Sequence, residues 1–190
     1  MKKLLILFII IVGFSFTSCS KDDDKNSLQA FTESLEEAES YSVSATMKRE
    51  YPPKYNYYFN FYYSNSLAKI DTNYEISNYG NVFFLDLTNE EDLIIYYLND
   101  SNYKKESLNI SMLDLSFKAK ISYDDFFLNE DNEYEMNEEA LKKFNFKEAK
   151  IKIKDDNTAT IKAYITYNYV DIPVYINIFD INNTVVELPI

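Results

Sequence analysis

The sequence predicts an α+β chain in which one N-terminal helix precedes an antiparallel sheet that is interrupted by helix in the middle of the chain. Three observations predict it. Apolar residues recur at spacings of three and four at Leu28, Phe31, Leu35 and Ala38, the stripe of an amphipathic helix. From Tyr41 onward the apolar period drops to two, which is the pattern of strands with one dry face. Between about residue 122 and residue 144 that alternation stops and helix-capping residues take its place.

The elements follow in order. Asn26 can cap the first helix and Gln29, three residues on, can answer it. Tyr41, Val43, Ala45 and Met47 then alternate with Ser42, Ser44, Thr46 and Lys48 until Pro52-Pro53 ends the strand. The segments YNYYFNFYYS, LAKIDTNYEI, NVFFLDL (after a turn at Tyr79-Gly80) and LIIYYLND are further strands joined by short polar turns, which favours antiparallel pairing. In the interruption, Ser122 and Asp125 are placed to cap a short helix carrying Phe126 and Phe127. Asn137 is placed to cap NEEALKKF, with Glu138 and Glu139 in the first turn and Lys142 and Lys143 in the last, an order that suits the helix dipole. Strands resume with AKIKIKDD, turn at Asp155-Asp156-Asn157, and continue through ATIKAYITYNYV, PVYINIFD and a closing TVVELPI.

Upstream of all this, Lys2 and Lys3 form a basic start, Leu4 to Phe16 an apolar run, and Thr17-Ser18 a pair of small residues, the layout of a secretory signal peptide. The apolar run is shorter than the roughly 20 residues of a membrane-crossing helix. Cys19 is the single cysteine, so an internal disulfide is excluded, and with no histidine in the chain a zinc site lacks ligands. The segment FTSC, Phe16 to Cys19, resembles the lipobox of bacterial lipoproteins, with Phe16 where leucine is commonest and Ser18 where glycine or alanine is commonest. The resemblance implies cleavage after residue 18 and a diacylglyceryl group on Cys19, the start of the mature chain. Cys19 and the SKDDDKN that follows it then make residues 19–26 a lipidated cysteine and solvated acidic tether, its like charges holding it extended. Ser20 to Asp24 also resembles the acidic surface-export signal of some two-membrane bacteria. The expected location is the cell envelope, on the outer side of the cytoplasmic membrane or on an outer membrane where there is one.

Loss of residues 1–18 removes Lys2 and Lys3 and takes the formal charge from −12 to −14, which opposes nucleic-acid binding. The remaining residues, 27–190 beyond the tether, suit one domain with a real core, and 46% hydrophobic content excludes a disordered tail.

The order of elements, from EEAESYSVSATM through YEMNEEALKKF and AKIKIKDDNTATIKAYI to INIFDINNTVVELPI, is similar to that of lipoproteins with the LolA or LppX/LprG-type fold. That resemblance implies a curved antiparallel sheet, a half-barrel whose concave side is lidded by helices and can hold acyl chains. Two glycines in the whole chain argue for shallower curvature than such sheets often have. The face implied for an apolar ligand carries Leu28, Phe31 and Leu35 from the helix, Tyr57, Phe59 and Phe61 from one strand, and Ile161, Ala163 and Ile165 from another. Eighteen tyrosines and fourteen phenylalanines fit a greasy cavity with tyrosine hydroxyls at its rim, and fit equally an aromatic strand core. Tyr58 and Tyr62, on the opposite face from Phe59 and Phe61, give the sheet's other side an uncommon aromatic content.

Other chemistry is poorly served. Without histidine there is no imidazole base and no Ser-His or Cys-His pair. Carboxylates cluster at Glu90-Glu91-Asp92, Asp124-Asp125 and Glu130 to Glu135, as solvated loops do, and NEDNEYEMNEEA lacks the glycine and the final glutamate of an EF-hand. No cofactor or metal is implied. The leading reading is a lipid-anchored extracytoplasmic module that binds or carries an apolar ligand such as a lipid, held to the membrane by its N-terminal lipid and with no protein partner indicated. The alternative is a surface structural or adhesion domain without a pocket, and an enzyme acting on envelope polymers stands third.

Overall fold

The structure is a computed structural model of the 190-residue chain and describes residues 27–49, 54–74, 79–88, 92–109, 120–155, 158–167 and 169–189. Cys19 with its leader and tether, the Asn26 cap, Pro52-Pro53, Glu90-Glu91 and Asp156-Asn157 lie outside the described residues. Among the described residues two α-helices, α1 (Ser27–Glu36) and α2 (Glu138–Phe144), accompany one sheet. Its strands are β1 (Ser40–Arg49), β2 (Tyr55–Ser64), β3 (Leu67–Thr72), β4 (Val82–Asp86), β5 (Asp92–Asn99), β6 (Asn102–Asn109), β7 (Phe126–Leu128), β8 (Tyr134–Met136), β9 (Glu148–Asp155), β10 (Thr158–Tyr167) and β11 (Val170–Phe179).

The spatial order is β6-β5-β4-β3-β2-β1-β11-β10-β9-β8-β7, antiparallel throughout. Two meanders, β1 to β6 and β7 to β11, are therefore zipped together by their first and last strands, and the sheet is open at β6 and β7. Pro173 illustrates how sequence sets this seam. Pairing of β1 with β11 ends at Met47↔Val174, so the proline, which has no N–H to give, sits where β11 bonds to β10 alone.

Alternation puts one set of side chains inside. Tyr41, Val43, Ala45 and Met47 are buried, as are Phe59, Phe61 and Tyr63 on β2 and Ile172, Val174, Ile176 and Ile178 on β11. Leu28, Phe31 and Leu35 of α1 join the same core, and α1 lies against β9 and the turn at Tyr123–Asp125. Ala38 is buried too, but it follows the helix rather than belonging to it. The side chain of Gln29 donates to Glu33 at 3.0 Å, one turn on in the helix.

α2 is capped as its sequence dictates. Asn137 Oδ1 accepts from the Ala140 N–H at 2.9 Å, and Asn145 closes the helix in the left-handed conformation with φ 55°. Gly80 takes φ +74° in the turn before β4.

Four expectations need correction. Phe126 and Phe127 belong to strand β7, and the helical part there is one 3-10 turn, Tyr123–Asp125, because the Ser122 N–H is taken by Asp125 Oδ2 at 2.9 Å and the chain leaves extended at Phe126. Tyr134–Met136, read with the helical interruption YEMNEEALKKF, is strand β8, while the helix begins after its Asn137 cap as expected. Strand β6 was not expected, since its charged residues Lys104, Lys105 and Glu106 give an edge strand no dry face to read. TVVELPI is not a strand, for β11 is already paired on both sides. The chain turns at Ile181–Asn183 and then crosses the outer face. There Thr184 meets Ser42 (Oγ to Oγ1, 2.8 Å) and Val186 is buried, while Val185 points to solvent.

Candidate functional site

The pairing register fixes which side chains share a side, because directly opposed residues point the same way. One row runs Thr72, Phe59, Ala45, Ile176, Ile161, Ile151 across six strands. The row beside it runs Tyr57, Met47, Val174, Ala163, Ala149. A third, Tyr97, Phe83, Ile70, Phe61, Val43, Ile178, Ala159, crosses seven. Ile165 stands opposite Ile172 on the same side. All nine residues singled out in the sequence thus lie on the inner face or on the helix over it, and eight of them are buried.

They are not in equivalent surroundings. Leu28, Phe31 and Ala163 are 0% exposed and Leu35 and Ile161 are 1% exposed, so protein surrounds them on every side. Small alanines at Ala149 and Ala163 leave the height that α1 fills. Tyr57 is different: it is only half-buried and packs at the edge of the core.

Tyr57 stands in a group that sequence inspection did not assemble. Its ring meets Tyr74 edge-on at 5.7 Å, and Tyr79 meets Tyr97 at 5.2 Å and Phe83 at 5.9 Å. Tyr57, Tyr74, Tyr79 and Tyr97 come from the start of β2, the segment after β3, the segment before β4 and the end of β5. In a meander those four places are one end of the sheet, so half-buried tyrosines rim the inner face there. The Tyr79 hydroxyl bonds to Glu106 on β6, and burial first, then that carboxylate, raises its pKa. A row of tyrosines each side of a turn is the only sequence signal for this rim, and it needs the register to become a place.

Deeper in, Tyr41 is almost wholly buried, and burial first, then neighbouring Tyr63, pushes its pKa far above the ordinary 10.0. On the outer face Tyr62 is raised by burial, then Asp71 and Tyr58, and Lys69 lies over the Tyr62 and Phe84 rings at 5.6 and 5.9 Å. That stacking, together with the crossing of residues 184–189, accounts for the aromatic content of this side.

Members of two of the carboxylate runs are engaged in structure. Asp125 pairs with Lys143 at 3.2 Å, and Glu133 and Glu135 share Lys150 at 2.7 and 2.9 Å. Asn129 Oδ1 accepts from the Asp131 and Glu133 N–H groups, making the first five residues of NEDNEYEMNEEA a hairpin turn between β7 and β8, while the rest supplies β8 and the start of α2. Among the described residues no three metal-ligating side chains converge, and no described helix is long and apolar enough to cross a membrane.

No protein-family model matches the chain, and no curated protein does. Among solved structures, a LolA superfamily protein from Nitrosomonas europaea aligns at 10% identity over 85% of this chain and 94% of its own, with a TM-score of 0.36. A likeness at that level decides neither fold nor function.

Proposed function

We propose that the chain is a lipid-anchored extracytoplasmic lipoprotein of LolA-like architecture that binds an apolar ligand carrying a polar head, such as a lipid. The observation that supports it is the inner face itself. Apolar rows cross up to seven strands of an 11-stranded sheet, α1 is about 15 Å long against a sheet about 48 Å wide, and the end away from full burial is finished with four half-buried tyrosines. An acyl chain would enter at the tyrosine rim and part the buried rings of Phe59, Phe61 and Phe83 behind it, and the tyrosine hydroxyls would meet its head group. The anchor, the membrane location and the tether follow from Cys19 and its flanking residues.

One observation favours the second reading, a structural or adhesion domain without a pocket. Ile161, Ala163 and the helix stripe leave no free space between them, so the ligand cannot lie beneath α1 as the helix now sits. The test is binding of a fluorescent fatty acid and a fluorescent phospholipid to the full mature chain. Saturable binding that Tyr57→Ala and Tyr97→Ala each weaken, and that the remote Lys142→Ala does not, supports the carrier reading. No saturable binding of either probe supports the pocketless domain. Separately, Cys19→Ala abolishes metabolic labelling by an alkyne fatty acid if the anchor is as proposed, and labelling that persists removes the anchor from the reading.

A further inference from the structure

The outer face carries a second concavity, unconnected with the apolar rows. It is an open cleft of about 520 Å³ between the β5–β6 hairpin and the end of the crossing segment, lined by Tyr96, Tyr103, Lys104, Lys105, Ser101 and Pro189 together with Asn102. Its construction is visible in the register. Ser42, Tyr62, Lys69, Phe84, Tyr96 and Lys105 form one outer-face row from β1 to β6, and residues 184–189 run from the Ser42 end of it to Tyr96 and Tyr103. Phe84 is buried and meets Tyr103 edge-on at 6.1 Å, which sets the Tyr103 ring while leaving it 47% exposed.

The lining is chemically distinctive. In a chain of net charge −12, the described lining presents the Lys105 ammonium and no acidic side chain, while Lys104, opposite inner-face Tyr97, directs its charge to the other side of the sheet; Lys105 forms no ion pair among the described residues. The exposed Tyr103 ring and the half-buried Tyr96 ring offer flat apolar surface, Ser101 and Asn102 offer hydrogen-bonding groups at the hairpin tip, and Lys105 offers a point charge. A ligand matching all three has a carbon-rich flat face, several hydroxyls and a negative charge. We propose that this cleft binds an acidic sugar unit of a polysaccharide, one ring stacked on Tyr103 or Tyr96 and its carboxylate facing Lys105.

Calorimetric titration of the full chain in detergent with trigalacturonate tests this, with maltotriose as the neutral comparison and inorganic phosphate as the bare anion. Trigalacturonate binds, maltotriose binds more weakly, and binding falls as salt is raised from about 20 to about 500 mM. Tyr103→Ala weakens it about fivefold, Lys105→Gln about threefold with loss of much of the salt dependence, and Lys105→Arg restores both. Lys105 is exposed on an edge strand, so its variants keep the wild-type melting temperature; Tyr103→Ala loses the contact with Phe84 and is titrated at a temperature where circular dichroism shows it folded, and Lys142→Gln binds as wild type. No binding of trigalacturonate overturns the proposal. So does equal binding of maltotriose or of phosphate, or binding that Tyr103→Ala and Lys105→Gln leave unchanged.

Discussion

The two meanders solve the same problem with different side chains. On β9 to β11 the inner face is aliphatic, with Ala149, Ile151, Ala159, Ile161, Ala163, Ile165, Ile172, Val174, Ile176 and Ile178, and the helix α1 rests on it. On β2 to β5 the buried inner face mixes aromatic with aliphatic side chains, Phe59, Phe61, Tyr63 and Phe83 beside Ala68, Ile70, Leu85, Leu93 and Ile95, with Tyr57 and Tyr97 at the margin. Short side chains keep the sheet low enough for a helix to sit close, whereas aromatic rings fill the height themselves. The first solution ends in a closed core. The second ends in a rim where one end of each tyrosine stays wet, which is why a ligand is proposed there and not under the helix.

The contrast breaks first at its best-packed point. Ile161→Ala is expected to cost about 2–5 kcal/mol in urea unfolding, and Tyr97→Ala distinctly less, since its ring is only half-buried. Equal costs would mean the aromatic end is as closed as the helical one. Next, Ala163→Trp forces volume beneath α1 at a position with no exposure, and should cost about 1–3 kcal/mol. A variant with an unchanged midpoint would reveal space that the helix conceals. Asn137→Ala removes the α2 cap and should cost about 1 kcal/mol, with no effect on fatty-acid binding at the other end of the sheet.

Tyr41 supplies a pH test. Its folded-state pKa is raised, so the unfolded chain loses this proton first as pH rises through 10.0, and stability present below that value declines above it. The alkaline decline measured by urea midpoints should be shallower in Tyr41→Phe than in wild type, and identical slopes would mean that the buried hydroxyl ionises as freely as an exposed one. The smallest effects belong to the hairpin tips of the aromatic meander. Asn65-Ser66 and Asp100-Ser101 take φ of 48° and 70°, and 48° and 71°, where most chains use glycine at the second place. Ser66→Gly should raise stability by up to about 1 kcal/mol, seen as a higher thermal midpoint.

Much of this was legible before the structure. The α1 stripe and the alternation of β1, β2 and β10 suffice to predict that Phe59 and Ile161 share a side, because period two leaves only two choices and one is polar. Strand β6 was not legible, since an edge strand with Lys104, Lys105 and Glu106 has no dry face to mark it. β7 and β8 are three residues each, too short to show a period. The closing segment alternates like a strand, and alternation records which side chains are buried, not whether the backbone finds a partner. The tyrosine rim escaped because its members are drawn from the ends of four elements, and only the register of all of them makes those ends coincide.

The seam between β1 and β11 joins residue 42 to residue 179, near opposite ends of the sequence. Until β11 has been made, β1 has one unpaired edge and the two meanders have nothing to hold them together. The pairing that completes the sheet is thus the one with the longest loop to close, a topology that folds slowly, on the order of milliseconds to seconds. Such delay suits a chain proposed to cross a membrane before it folds: the information needed to close the sheet arrives last, after the segment proposed as a leader has emerged.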